Sequence, residues 1–265
     1  MGDERLYRTE AIVLRHQNLG EADRVLSLLT PTRGKVRAVA KGVRKPLSRK
    51  AGHLELFTRA QVLISRGRDL DIISQAEMIE PYLALRGDLV RVSYAAYFVE
   101  LADSYVVEGD ENRAIYNLLS AGLGWLCRSE DLRLTARYFE QRVLQRAGFR
   151  LELHNCVLRG ERIAAEDQFI SIADGGVVCP ACGHDHPRAR PISMSALKVL
   201  RYMQGRNYAS VENLRLRGPL YAELENLLSQ ALTYSLERRL KSTVFIHRLR
   251  REAAAMTAPP QEEVS

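Results

Sequence analysis

Between residues 5 and 80 apolar and polar positions alternate with the two-residue period of half-buried strands. Thr9-Glu10-Ala11-Ile12-Val13-Leu14-Arg15 is a β-branched run closed by the turn-like Asn18-Leu19-Gly20, and Asp23 to Thr30 follows as a second strand. Pro31-Thr32-Arg33-Gly34 supplies a hairpin connection into Lys35-Val36-Arg37-Ala38-Val39-Ala40, where charged or small residues alternate with apolar ones. Lys41 to Gly52 carries Gly42, Pro46 and Gly52 and reads as a loop. Phe57 to Ile64 and Leu70 to Met78 give two more strands about the turn Ser65-Arg66-Gly67-Arg68. Five short strands in so little chain predict a small barrel, for which an OB-fold is one compact solution.

From Pro81 to Phe149 the period becomes helical, with Val92, Ala95, Ala96, Val99 and Ala102 on one face. Asn112 to Cys127 and Asp131 to Ala147 read as further helices, the second closing at Gly148. Residues 151–190 break the pattern with Gly175-Gly176 and three of the four cysteines. Beyond Pro191, Ser193 or Ser195 caps a helix through Met203, and Pro219 opens a long helix to about Arg251. The expected organisation is an α+β multidomain chain. A barrel spans 1–80 and a helical domain 81–150, with a zinc-knuckle-like insertion over 151–190. Helices over 191–255 complete the helical domain, and a polar tail over 256–265 is expected to be disordered.

Composition narrows the function. Of 265 residues 46% are hydrophobic and 27% charged, ordinary for a soluble globular chain. No apolar run approaches the ~18–20 residues of a membrane helix, so no membrane partner is expected. Met1-Gly2-Asp3-Glu4-Arg5 lacks an apolar h-region, and the clustered cysteines suit a reducing compartment; a cytoplasmic location is expected. Lys and Arg number 39 against 32 Asp and Glu, a net +7 that favours acidic partners.

The excess is concentrated. No acidic residue stands between Asp23 and Glu55, while Arg24, Arg33, Lys35, Arg37, Lys41, Arg44, Lys45, Arg49 and Lys50 all lie there. Such a run repels itself unless an anion is normally close, and a nucleic-acid backbone is such an anion. An acidic protein surface and a merely solvated loop are the alternatives. Tyr7, Tyr82 and Tyr94 could stack bases, but nothing in the sequence selects them.

Cys179-Pro180-Ala181-Cys182-Gly183 is a zinc-knuckle half-site, in which a tight turn aims two thiolates at one ion. Its upstream counterpart, Cys156-Val157-Leu158-Arg159-Gly160, has Arg159 at the second ligand position, and a guanidinium does not ligate zinc. One structural zinc would then rest on Cys156, Cys179 and Cys182 with a fourth ligand from His154, His184 or His186. A knuckle that survives on packing alone is the other reading. Cys127 and Trp125 sit in an apolar helical run and read as core. No phosphate loop, nucleophile elbow, His-Glu-x-x-His or dinucleotide fingerprint occurs, so no catalytic residue and no nucleotide cofactor is assigned. Near the C-terminus Arg238, Arg239 and Lys241 alternate with Leu236, Leu240 and Val244. That basic amphipathic segment either packs with a solvated face or receives an acidic peptide with an apolar end.

In combination these blocks resemble a known family. Ala11-Ile12-Val13-Leu14-Arg15, Gly20-Glu21-Ala22-Asp23, Gly34-Lys35 and Ala38-Val39-Ala40-Lys41-Gly42-Val43-Arg44 are similar to the opening of the RecO family of bacterial recombination mediators. The likeness continues through the Cys-x-x-Cys-Gly element to Tyr234-Ser235-Leu236-Glu237-Arg238-Arg239-Leu240-Lys241-Ser242 and covers residues 5–250. It implies an N-terminal OB-fold, a helical domain and an embedded four-cysteine zinc module, from which Arg159 departs. It also implies a non-enzymatic role in DNA repair and recombination, with a nucleoid-associated location. Such a protein binds single- and double-stranded DNA, here through Arg33, Lys35, Arg37, Lys41, Arg44, Lys45, Arg49 and Lys50, and anneals complementary strands. RecR and the C-terminal tail of single-stranded DNA-binding protein are the implied partners in loading recombinase at gaps. Arg238, Arg239, Lys241, Leu240 and Val244 are the candidate tail receptor. An RNA-binding accessory factor of translation or ribosome assembly is the competing reading. A hydrolase using the cysteine cluster is a third, against which the lack of a Glu placed as general base counts.

Overall fold

A computed structural model describes residues 5–238 together with Leu240, Ser242 and Ile246. The strands are β1 (Leu6–Leu19), β2 (Asp23–Thr30), β3 (Gly34–Ala40), β4 (Arg59–Ser65) and β5 (Asp71–Glu80). They form a closed, OB-like barrel in the order β1-β2-β3-β5-β4. Neighbours are antiparallel except β3 and β5, whose closure rests on the parallel pairs Ala38–Asp71 and Val39–Ile72. β1 makes this possible by pairing its first half with β4 and its second with β2, shifting register between Val13 and Arg15.

The residues from Ala11 to Leu14 are buried on both faces of the pleat. Ala11 and Val13 point into the barrel with Leu26, Leu28, Val62 and Ile64. Ile12 and Leu14 point outward, yet they are buried with Leu29 and Phe57 in the core of the helical part. That core is built from α1 (Leu89–Ser104), α2 (Arg113–Arg128) and α3 (Leu132–Arg146), then α5 (Met194–Gly205), α6 (Tyr208–Val211) and α7 (Gly218–Leu236). Between α3 and α5 lie β6 (Gln168–Ser171), β7 (Gly176–Val178), the single turn α4 (Pro180–Gly183) and β8 (Arg190–Ile192). These three strands form a small sheet in the order β7-β6-β8. Side chains of Asp88, Asn112, Asp131 and Ser193 cap α1, α2, α3 and α5 by accepting otherwise orphaned N–H groups.

Two expectations are corrected. The single apolar face assigned to the segment that forms α1 fails, because Ala96 is exposed while Tyr94, Tyr97, Phe98 and Leu101 are buried. α1 packs against α2, α3 and β1 together, so more than one stripe is covered. The helix opened by Pro219, expected to run unbroken to about Arg251, is interrupted after Leu236, where Glu237 takes a left-handed φ of 53°, and Ser242 and Ile246 are helical again. That break lets Leu240 and Ile246 enter the core and lets the Ser242 backbone N–H donate to Glu100 Oε2 at 2.8 Å. The polar tail over 256–265 lies outside the described residues. No helix among the described residues is long and apolar enough to cross a membrane.

A charged network is buried where α1, α3 and α7 meet. Tyr97 donates to Glu140 Oε1 at 2.7 Å, and Arg137 pairs with Glu140 and, at 3.3 Å, with Glu225. Burial raises the pKa of Glu140 and the nearby Arg137 opposes that shift. Removing the cation strands a buried carboxylate. Arg137→Ala should lower the unfolding free energy in urea by about 3–5 kcal/mol. A change below about 1 kcal/mol would mean that water or rearrangement replaces the guanidinium.

The barrel and the helices also meet at the start of β3. Lys35 N–H donates to the Val107 carbonyl at 3.3 Å, and Glu108 bridges Gly34 and Lys35. Gly34 has a φ of +54°, and a Cβ there would lie 2.2 Å from the Asp110 carbonyl oxygen and 2.5 Å from that of Val107. Gly20 has nearly the same φ, +57°, with nothing within 4 Å. Gly20→Ala should therefore cost only the left-handed strain, about 1 kcal/mol, and Gly34→Ala clearly more. Equal losses in urea unfolding would show that the 107–110 segment gives way freely.

Candidate nucleic-acid interface and cysteine cluster

The nine cations of the acid-free window fall into distinct groups. Arg24 pairs with Glu55 at 3.0 Å. Lys35 Nζ lies 3.0 Å from the Asp103 carbonyl and 3.3 Å from its carboxylate, so α1 already neutralises it. Lys50 Nζ donates to the Ile73 carbonyl at 3.1 Å, and burial lowers its pKa. Arg33 lies over the Tyr7 ring, 4.1 Å from its centroid. Arg44 stays exposed while donating to the Gly20 carbonyl at 3.0 Å. Arg37, Lys41, Lys45 and Arg49 remain, all exposed and without an ion pair or side-chain hydrogen bond among the described residues.

The alternation expected in β3 does put Lys35 and Arg37 on its outer side, though only Arg37 keeps an uncommitted charge. The loop beyond β3 is anchored rather than slack. Gly42 N–H donates to Asp23 Oδ1 at 2.7 Å, Arg44 N–H donates to the Ala22 carbonyl at 2.9 Å, and Val43 plugs the barrel. From Arg33 to Lys41 the outer edge of β3 spans about 26 Å at strand rise, enough for several nucleotides of backbone.

Two further arginines join this surface. Arg66 and Arg68, in the β4–β5 turn, line the same hollow as Arg33 and Arg37, together with Asp69, Asp71 and Glu108. The sequence marked them only as turn residues. The parallel closure of β3 on β5 brings that turn beside β3. The tyrosines contribute little stacking area. Tyr82 and Tyr94 are buried, with Tyr82 donating to the Ser120 carbonyl, and Tyr7 is covered by Arg33 and donates to Asp71.

The sulfur atoms of Cys156, Cys179 and Cys182 all lie within 4.8 Å of one another. Two turns aim them. Gly160 N–H donates to the Cys156 carbonyl at 2.7 Å, and Gly183 N–H to the Cys179 carbonyl at 2.8 Å. Burial raises the Cys156 thiol pKa, but the N–H groups of Cys179, Leu158 and Arg159 lower it further, for a net fall. Cys182 is pushed up to about 11 by its hydrogen bond to Cys179, by burial and by the other two sulfurs. This order suits thiols that share charge around one point, and three soft donors could hold a metal ion.

The fourth corner is none of the three expected histidines. His184 packs edge-on against Phe169, with centroids 5.1 Å apart, and His186 Nε2 lies 3.4 Å from Asp174. Neither they nor His154 joins the three sulfurs. The expected fourth ligand is thereby corrected, since these rings are engaged with Phe169 and Asp174. Arg159 stands there instead, its charged form favoured by Glu161 and then by Cys182 and Cys179. Among the described residues the donor set therefore lacks the closed four-ligand shell of a structural zinc site.

At the C-terminal segment, Arg238 is exposed and donates to Ser104 Oγ at 2.8 Å. Leu240 is only 6% exposed and belongs to the helical core, so it forms no groove wall. Arg239, Lys241 and Val244 lie outside the described residues. Cys127 and Trp125 are half-buried against the same core, with Trp125 stacked on Tyr208 at 4.5 Å.

Comparison with known proteins accounts for both parts of the chain. The family model for the N-terminal part of recombination protein O matches residues 3–82, and that for its C-terminal part matches residues 86–243. DNA repair protein RecO of Roseiflexus sp. (strain RS-1) is 38% identical, over 93% of this chain and 87% of its own length. Those of Dehalococcoides mccartyi (strain ATCC BAA-2266 / KCTC 15142 / 195) and Symbiobacterium thermophilum are 34% and 37% identical, each over 92% of this chain and 96% and 98% of their own. A barrel with an uncommitted basic edge, joined to a helical part that carries a cysteine knuckle, is thus the form taken here by a chain that belongs to the RecO family.

Proposed function

We propose that this protein is a non-enzymatic mediator of DNA repair and recombination that binds single- and double-stranded DNA along the outer edge of β3 and the loop that follows. The observation that carries this reading is the set Arg37, Lys41, Lys45 and Arg49, four exposed cations without counter-charge on an anchored surface. Uncommitted charge costs self-repulsion that a polyphosphate relieves. Contacts to the backbone leave base edges free, so a strand held this way can still pair with a complement. Two strands brought to one cationic surface also repel each other less, which is the physical content of annealing.

The same reading extends to partners. RecR and the acidic tail of single-stranded DNA-binding protein are the proposed ones, at gaps where recombinase is loaded. The tail would meet Arg238, Arg239 and Lys241, with its apolar end seated on a surface other than Leu240. For the cysteine cluster we propose a single zinc held by Cys156, Cys179 and Cys182, with a structural role and weak retention, since no fourth donor joins them among the described residues.

Replacing Arg37, Lys41, Lys45 and Arg49 together by Ala spares the structural cations Arg24, Lys35 and Lys50. For a single-stranded oligonucleotide the log–log salt slope of binding should fall by about three units. An unchanged slope in a folded variant would move the DNA to another surface. For the metal, the wild-type protein should retain well under one zinc per chain after dialysis against a chelator, and Arg159→Cys about one. Full retention by the wild type would mean that another group completes the site.

A further inference from the structure

The tip of the basic loop carries a side chain that phosphate binding leaves unused. Leu47 is 95% exposed, while Leu83, next among the exposed large apolar side chains of the described residues, is 66% exposed. Isolated leucines on a surface are common. This one stands clear of the protein, with Lys45 two residues before it and Arg49 two residues after, both exposed and uncommitted.

The backbone beneath it is built to hold that position. Ser48 N–H donates to the Lys45 carbonyl at 3.0 Å and closes a turn, with Pro46 second and Leu47 third. Proline at the second position fixes φ and so limits the freedom of the apex. Lys45 N–H donates to the Gly42 carbonyl at 3.2 Å, and the ends of the loop are tied by Gly42 to Asp23 and by Lys50 to Ile73. A backbone held by such a turn leaves less entropy for binding to take from it.

We propose that Leu47 is a wedge that enters the base stack of DNA held by the surrounding cations. The inference rests on the DNA reading above and adds a contact with the bases. Apolar side chains inserted between base steps unstack them, at a cost that falls where stacking is already weak. The wedge therefore favours single strands, frayed ends and the junctions of gaps over continuous duplex. Lys45 and Arg49 sit on either side to take the phosphates that flank the opened step. The parted bases keep their pairing edges outward, which exposes them to an incoming complementary strand. A basic loop with an apolar tip is also the chemistry of binding to an anionic lipid surface. Membership in a family of DNA repair proteins favours the nucleic acid.

The test uses the full chain, Leu47→Ser and Leu47→Met, with a single-stranded oligonucleotide containing 2-aminopurine, a base whose fluorescence rises on unstacking. The wild type and Leu47→Met should raise the fluorescence at saturation. Leu47→Ser should lose that rise and bind about tenfold more weakly, with an unchanged salt slope. A full fluorescence rise with Leu47→Ser overturns the wedge while leaving the cationic interface standing. A wild type that binds no DNA overturns both. Recruitment of the wild type to phosphatidylglycerol vesicles, lost in Leu47→Ser, would assign the tip to a lipid surface and overturn the proposal as well.

Discussion

Ile12 and Leu14 face away from the barrel interior and are nevertheless almost wholly buried, because the helical part closes over them. With Leu29 and Phe57 they make the outer wall of one strand pair the floor of the helical core. Each such side chain contributes about 1.5–3 kcal/mol when fully buried, whereas exposed ion pairs contribute about 1 kcal/mol or less. Apolar burial thus holds the seam, and the polar groups at its rim set its register. Asp103 of α1 pairs with both Arg15 and Lys35, and Tyr116 of α2 donates to Glu10 at 2.9 Å. With that side of the barrel occupied, the outer edge of β3, the loop after it and the β4–β5 turn are left to meet a ligand.

The strands were legible because alternation runs through much of the first 80 residues, and the helix starts because Asn112 and Ser193 are strong caps. The double burial of Ala11 to Leu14 was visible only as an unbroken apolar run, which periodicity cannot assign to two different cores. The acid-free window overcounted the uncommitted cations. Glu55, Asp103 and the Ile73 carbonyl are far away in sequence, so nothing local told that Arg24, Lys35 and Lys50 were committed. Arg66 and Arg68 were missed for the converse reason, since a short parallel contact between β3 and β5 brings them in. The end of α7 was hidden because the helical pattern of Leu236, Leu240 and Val244 continues through a left-handed Glu237.

Charge is used in two opposite ways in this chain. Arg137 and Glu140, both buried, and the half-buried Glu225 pair with one another, and with Tyr97 they tie α1, α3 and α7 together. Arg37, Lys41, Lys45 and Arg49 are exposed and unsatisfied, and they contribute nothing visible to the fold. The knuckle lies between these cases. Its spacing was plain in the sequence, and the three sulfurs do converge, but Arg159 puts a fixed positive charge where a fourth thiolate would complete the shell. Its turns, backbone hydrogen bonds and small sheet persist around that substitution.

The central claim is that DNA lies on the outer face of β3 and its adjoining loops, beside the seam. Hydrogen exchange of the full chain with and without a saturating single-stranded oligonucleotide tests it most directly. Protection is predicted to rise over residues 41–50 and at the 66–70 turn, with α3, α5 and the 156–186 knuckle unchanged. Protection confined to the knuckle or to the helices, with the 41–50 loop exchanging as in the free protein, would contradict the account.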